Sequence, residues 1–156
     1  MQAQYGIRRS DVADLERIVQ IENASFGSEA YDRKLFAEYR ARCGALFLVA
    51  ERRGRVCGYL IACLRGEAWA ELVSVAVDPA ARRSGAASAL LESLFRRLRR
   101  RGVARLTLMV HVTNRPAQAF YEKYGFQKRR KVRGYYEDGA DGIRMSREVQ
   151  WNRNTG

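Results

Sequence analysis

The stretch Val75-Ala76-Val77-Asp78-Pro79-Ala80-Ala81-Arg82-Arg83-Ser84-Gly85-Ala86-Ala87 decides the fold. It opens as an apolar strand, which Asp78-Pro79 ends because proline cannot donate to a ladder. The period then changes: Ala87, Leu90, Leu91, Leu94, Phe95 and Leu98 recur as one helical stripe. Gly102 suits the residue just past that helix. Between strand and helix lies a turn of small residues. Such a turn presents the unpaired N–H groups of the first helical turn and the positive end of the helix dipole, which together suit a phosphate. Ser84, Gly85, Ala86 and Ala87 let phosphate oxygens approach the backbone, and Arg82 and Arg83 add charge.

Working outward, the elements alternate closely, with no linker or repeat. Residues 5–8 read as a strand, and Ser10 or Asp11 caps a helix carrying Leu15, Ile18 and Val19 at helical spacing. A second helix starts near Asp32 and ends by Gly44. The apolar runs 45–50 and 56–63 read as a hairpin around residues 51–55, and 71–77 as a third long strand. After the stripe helix, 106–112 alternates as a strand. Asn114 caps a short helix ended by Gly125, and 126–132 and 142–146 form a last pair of strands. The expected fold is mixed α/β: a mostly antiparallel sheet of six to seven strands with helices on both faces. The 156 residues suit one domain, 1–150, with a tail at 151–156.

Composition bounds the function. With 47% hydrophobic and 29% charged residues, the chain lies in the globular range. No apolar run approaches the roughly 20 residues that cross a bilayer, and the start, Met1-Gln2-Ala3-Gln4-Tyr5, lacks a signal peptide's apolar core. The expectation is a cytoplasmic protein with no membrane partner, monomeric or weakly dimeric. Cys57 and Cys63 stand six residues apart in one strand, too far to bridge, so the cysteines read as reduced core thiols. With Cys43 and the single His111 they match no zinc spacing, and no metal is expected. The net charge of +12 favours anionic partners such as nucleic acid, ribosomal surfaces or phosphorylated cofactors. The densest run, at Arg96, Arg97, Arg99, Arg100 and Arg101, reads as a solvated helix face and last turn.

The turn with Arg82, Gly85 and Ala87 resembles the acetyl-CoA-binding signature of the GNAT acetyltransferase superfamily. Downstream, Asn114-Arg-Pro-Ala117-Gln-Ala-Phe-Tyr121-Glu-Lys-Tyr-Gly125-Phe126 looks like that superfamily's second block. The stretch Gly134-Tyr135-Tyr136-Glu137-Asp138-Gly139-Ala140-Asp141 is similar to the end of RimI-like N-terminal acetyltransferases. The resemblance implies acetyl-CoA as cofactor and an amine as acceptor, above all the α-amine of a protein N-terminus of the ribosomal-protein type. It implies a central splay after which the backbone of Val75, Ala76 and Val77 meets pantetheine and the thioester oxygen. It places Asn114 beside pantetheine and Tyr121 beside the CoA sulfur as general acid.

Acyl transfer needs a neutral amine, a polarised carbonyl and a proton for the leaving thiolate. An ordinary phenol, with pKa near 10, can protonate a thiolate of pKa near 8.5. The base is where the pattern breaks. Relatives often carry Glu or His five residues before the motif asparagine, and Met109 stands there. Glu71, on one strand face with Val73, Val75 and Val77, is the candidate for a water-mediated base, with His111 as fallback. The resemblance also implies that Tyr31, Tyr135 and Tyr136 clamp the peptide N-terminus, at most one of the last two if that segment is extended. Two rival readings remain open here: a small-molecule amine acetyltransferase, and a catalytically idle nucleic-acid- or ribosome-binding module on the same fold.

Overall fold

Arg53 and Gly54 both take positive φ, 54° and 76°, and so make the two-residue turn whose twist matches a β-hairpin. That turn joins β2 (Phe47–Arg52) to β3 (Arg55–Leu64), the centre of the first of two compact units into which the chain divides. The computed structural model describes residues 5–27 and 30–150. Ser28 and Glu29 of the loop after the first helix, and the expected tail at 151–156, lie outside them. The first unit comprises Met1–Cys63 and Val73–Arg97, the second Leu64–Leu72 and Leu98–Gly156.

In the first unit β1 (Gly6–Arg9) pairs antiparallel with β2, and β2 antiparallel with β3. Asp11 forms a capping box with Asp14 over a short 3-10 turn that leads into α1 (Leu15–Phe26). Arg8 clamps Asp14 at 2.8 and 3.0 Å and reaches Glu51 at 2.9 Å; its hydrogen bonds hold the Asp14 carboxyl below its ordinary range. Asp32 caps α2 (Arg33–Cys43). Leu15, Ile18 and Ile21 of α1 and Phe36 of α2 pack on Phe47, Val49, Tyr59 and Ile61 as one buried cluster. The opposite face of β3 meets α3 (Ala86–Arg100): a Cβ built on Gly58 would lie 3.1 Å from the Ala76 carbonyl and 3.4 Å from Leu90. Glycine there lets strand and helix close up, and helices cover both faces of this unit as expected.

The reading of all three cysteines as reduced thiols is corrected. Cys43 and Cys63 form a disulfide with Cα atoms 5.1 Å apart, while Cys57 is free and buried. The pairing Phe47↔Ile61 carries Cys63 back to the level of the short turn that follows α2, where Cys43 stands. Spacing within one strand excluded Cys57 as a partner but could not register a helix end against a strand.

The second unit holds the first part of β4 (Trp69–Val77), β5 (Arg105–His111), α4 (Arg115–Lys123), β6 (Gln127–Val132) and β7 (Gly142–Glu148). β5 runs parallel to β4 over Trp69–Leu72, β7 antiparallel to β5, and β6 antiparallel to β7. With β4 common to both units, the strand order is β1-β2-β3-β4-β5-β7-β6, the mixed, mostly antiparallel seven-stranded sheet expected. Leu106, Leu108 and Val110 are buried on one face of β5. The other face carries Thr107, Met109 and His111, level with Ser146, Arg144 and Gly142 of β7. Buried Arg147 donates to the carbonyls of Tyr124, at 2.8 Å, and Val149, at 3.0 Å, tying the end of α4 to β7. Among the described residues, no helix is long and apolar enough to cross a membrane.

Candidate active site

The turn before α3 is built by its own side chains. Asp78 caps the 3-10 turn Pro79–Ala81 by accepting from the Ala80 N–H, and Arg17 pairs with the same carboxylate. Those contacts, the Ala80 N–H first, hold Asp78 below its ordinary range. Ser84 turns inward: its hydroxyl donates to the Ala81 carbonyl and meets the Tyr5 hydroxyl at 2.6 Å. Gly85 takes φ 91°, a conformation that side chains rarely adopt, and its carbonyl accepts the Ala89 N–H at 2.9 Å to open the helix. Arg82, Arg83, Ser84 and Gly85 are exposed, while Ala86 is buried and Ala87 partly so. Among the described residues, Arg82 and Arg83 make no ion pair. The charge is uncompensated and the approach to the backbone is open. In the strand before the turn, Ala76 is buried and Val75 and Val77 half-buried.

The same unit holds a polar group that sequence reasoning missed. Glu22 of α1 is 2% exposed in the apolar cluster. Its Oε1 accepts the Tyr59 hydroxyl and its Oε2 accepts the Tyr31 N–H at 2.8 Å; Ser74 of β4 lies 2.8 Å from the same tyrosine hydroxyl. Burial pushes the Glu22 carboxyl above its ordinary value, against the pull of its two donors. Burial, then the Glu22 charge, likewise pushes the Tyr59 phenol far up. Glu22 thereby anchors the loop bearing Tyr31. The Tyr31 ring packs 5.7 Å from Phe36 and 6.1 Å from Tyr39, so the residue has a place in the core as well as in the loop. A lone acidic residue in α1 carries no sequence signal for this, because Tyr59 is 37 residues away.

In the second unit Asn114 accepts the Ala117 N–H at 3.2 Å and so caps α4. Gln118, 4% exposed, braces the entry by donating to the carbonyls of His111 and Val112 at 3.1 and 3.0 Å. That helix presents Tyr121, whose ring meets Phe120 and Phe126 edge-on at 5.4 and 5.5 Å. Its hydroxyl makes no hydrogen bond among the described residues. Burial, with a smaller contribution from Tyr136, holds the phenol well above its ordinary value.

Tyr136 stacks on His111 at 5.0 Å, and Tyr135, 47% exposed, meets Tyr136 edge-on at 5.0 Å. The segment is a turn, so strand alternation does not separate the two rings. The His111 Nδ1 accepts the Thr113 N–H at 3.2 Å and lies 2.8 Å from its hydroxyl, while Nε2 faces Asp138 at 3.6 Å. Only Nδ1 is within hydrogen-bond distance of its neighbour. Glu71 stands level with Thr107 and is ion-paired with Arg65, both contacts falling on Oε1 at 2.8 and 2.9 Å. The sequence held a signal for that pair: a turn closed by the Arg65 N–H on the Trp69 carbonyl brings Arg65 and Glu71 together. Met109 offers its thioether where a base was sought; its Sδ would lie 2.9 Å from a Cβ at Gly142.

Comparisons with known proteins agree with this geometry. The family model described as Acetyltransferase (GNAT) family matches residues 15–126. An N-alpha-acetyltransferase of Saccharolobus solfataricus is 30% identical over 93% of this chain and 93% of its own length. The crystal structure of Ard1 from Thermoplasma volcanium superposes with a TM-score of 0.90 at 28% identity, covering 96% of this chain and all of that one. A ribosomal-protein-alanine N-acetyltransferase of Escherichia coli gives 0.82 at 31% identity, over 95% and 96% of the two chains. From the helix-opening turn, the block from Asn114 to Phe126 and these matches over nearly its whole length, the chain belongs to the acetyltransferase (GNAT) family.

Proposed function

We propose that the chain moves an acetyl group from acetyl-CoA to the free α-amino group of a protein N-terminus. The observation that carries this reading is a methionine, Met109, at the position where a base is expected. Met109 accepts no proton, the His111 Nδ1 is taken by Thr113, and Glu71 is ion-paired with Arg65. An α-amine, with pKa near 8, is partly neutral without help, whereas a lysine at about 10.4 is not. The names of the relatives, N-alpha-acetyltransferase and ribosomal-protein-alanine N-acetyltransferase, support the same acceptor.

The residues present fit the cofactor. Arg82 and Arg83 are uncompensated beside the exposed turn, and the first N–H groups of α3 complete an anion site for a pyrophosphate. When bound, acetyl-CoA supplies an activated thioester and a thiolate leaving group. The chain's part is to hold the phosphates at residues 82–87, line pantetheine with the backbone of Val75, Ala76 and Val77 and with Asn114, and keep a proton on the Tyr121 Oη. Glu71 takes the amine's proton through water, and Tyr31, Tyr135 and Tyr136 frame the peptide.

A peptide with a free N-terminus, set against its N-blocked, lysine-containing twin, tests the acceptor. The pKa gap of about 2.4 units disfavours lysine roughly 250-fold in neutral amine near pH 7, of which its greater nucleophilicity recovers part. A preference for the free N-terminus above about tenfold is expected. Equal rates, or activity on small amines alone, would remove this reading.

A further inference from the structure

The densest exposed charge lies on β6 and in the turn that follows it, not on α3. Five of the six residues 128–133 are cations: Lys128, Arg129, Arg130, Lys131 and Arg133. All five are exposed, and β6 is the last strand of the sheet, bonded to β7 alone. Lys128 lies 3.9 Å from Glu122, and the Arg129 Nε donates to the Ser146 hydroxyl at 2.8 Å. Arg130, Lys131 and Arg133 make no ion pair among the described residues. Arg130 also stands directly across the ladder from Arg144. Like charges so placed destabilise a sheet, and an anion lying along the strand would relieve them. Charged side chains protect a sheet edge from strand addition, and a run this dense also sets up a field that attracts anions.

We propose that this edge binds a single strand of nucleic acid through its phosphates. The cations lie to both sides of one strand over about 17–20 Å at strand rise, so a single extended backbone laid along the edge meets cations on either side, whereas a duplex groove is flanked by two backbones. The outer N–H groups of an unpaired edge add donors to the same line. Residues 127–133 contain no aromatic side chain, so no base is stacked and the reading is of phosphate, independent of sequence. The proposal stands apart from the acetylation reading and is tested without acetyl-CoA.

Fluorescence anisotropy of a labelled twelve-nucleotide oligouridine, titrated with the full chain across a salt series, measures it. With about four phosphates neutralised, log affinity should fall against log salt with a slope near −3, about 0.7 per contact. The variant Arg130→Gln, Lys131→Gln, Arg133→Gln should reduce that slope by about 2 and weaken binding at least tenfold near 0.1 M salt, with a thermal midpoint no lower than the parent's. Arg130→Lys with Arg133→Lys should keep the binding, and so should Arg96→Gln with Arg100→Gln on α3. No binding at 0.05 M salt would overturn the proposal. So would full binding by the triple glutamine variant, an equal loss in the α3 variant, or displacement by polyglutamate at equal charge.

Discussion

Tyr59 and Tyr121 are both tyrosines whose phenols burial drives far above the ordinary value, yet their hydroxyls meet opposite fates. In the first unit, Tyr59 donates to Glu22 and lies beside Ser74, so its hydroxyl is spent on structure. In the second, Tyr121 is gripped by Phe120 and Phe126 through its ring, while its hydroxyl is left without a hydrogen bond. A phenol whose ring is packed and whose hydroxyl makes no hydrogen bond among the described residues keeps that hydroxyl open to a ligand. The contrast sets Tyr59, bound into structure, against Tyr121, whose hydroxyl is open for the proton donation proposed above.

The largest expected effect is on Tyr121→Phe, which keeps the ring packing and removes only the proton. Turnover should fall about 10²–10⁴-fold, with acetyl-CoA affinity by calorimetry and the unfolding midpoint nearly unchanged. Unaltered kcat, where chemistry limits the rate, would return Tyr121 to the core. Next comes the frame around Tyr59. The Cys43–Cys63 bond spans 20 residues, and reducing it should lower unfolding stability by about 3 kcal/mol in urea titrations. No loss on reduction would mean that α2 is held by packing alone.

Tyr59→Phe reverses the pattern of Tyr121. Leaving the Glu22 carboxylate short of a donor should cost about 1–3 kcal/mol of stability, with turnover of the folded fraction close to that of the parent. Loss of turnover without loss of stability would break the contrast from the other side. The smallest effect is on Glu22→Gln, whose amide can still accept from the Tyr31 N–H and donate to Tyr59. It should cost less than about 1 kcal/mol. Its pH dependence sharpens the point. Because burial raises the folded carboxyl above its ordinary 4.5, the stability that Glu22 contributes is complete below that value and is lost as pH rises through the folded pKa. The parent should therefore lose ground to Glu22→Gln as pH rises above about 4.5, and a difference independent of pH would contradict a buried, strained carboxyl.

Features set by neighbours in the chain were legible in the sequence. Asn114 caps the short helix assigned to it, the second helix starts at Asp32 as expected, Asp11 caps the 3-10 turn that leads into α1 rather than α1 itself, and the change of period after Asp78 placed α3 and its turn. Features set by contacts across the fold were not. Glu22 with Tyr59 and Cys43 with Cys63 depend on how helices dock on strands, which spacing does not encode. Tyr135 and Tyr136 were judged by strand alternation, a rule with no force in the turn they occupy. His111 was readable as a ring on a strand but not as one whose Nδ1 is taken by Thr113, two residues on.

The central claim is that the chain supplies an acid and leaves the amine to arrive neutral. The most direct measurement is the pH profile of kcat/KM for two peptides whose α-amines differ in pKa by about one unit. The account predicts an ascending limb whose midpoint follows the peptide, moving by about that unit between the two substrates. A midpoint fixed at one pH for both peptides would show that an enzyme group deprotonates the amine before it attacks, and would contradict it.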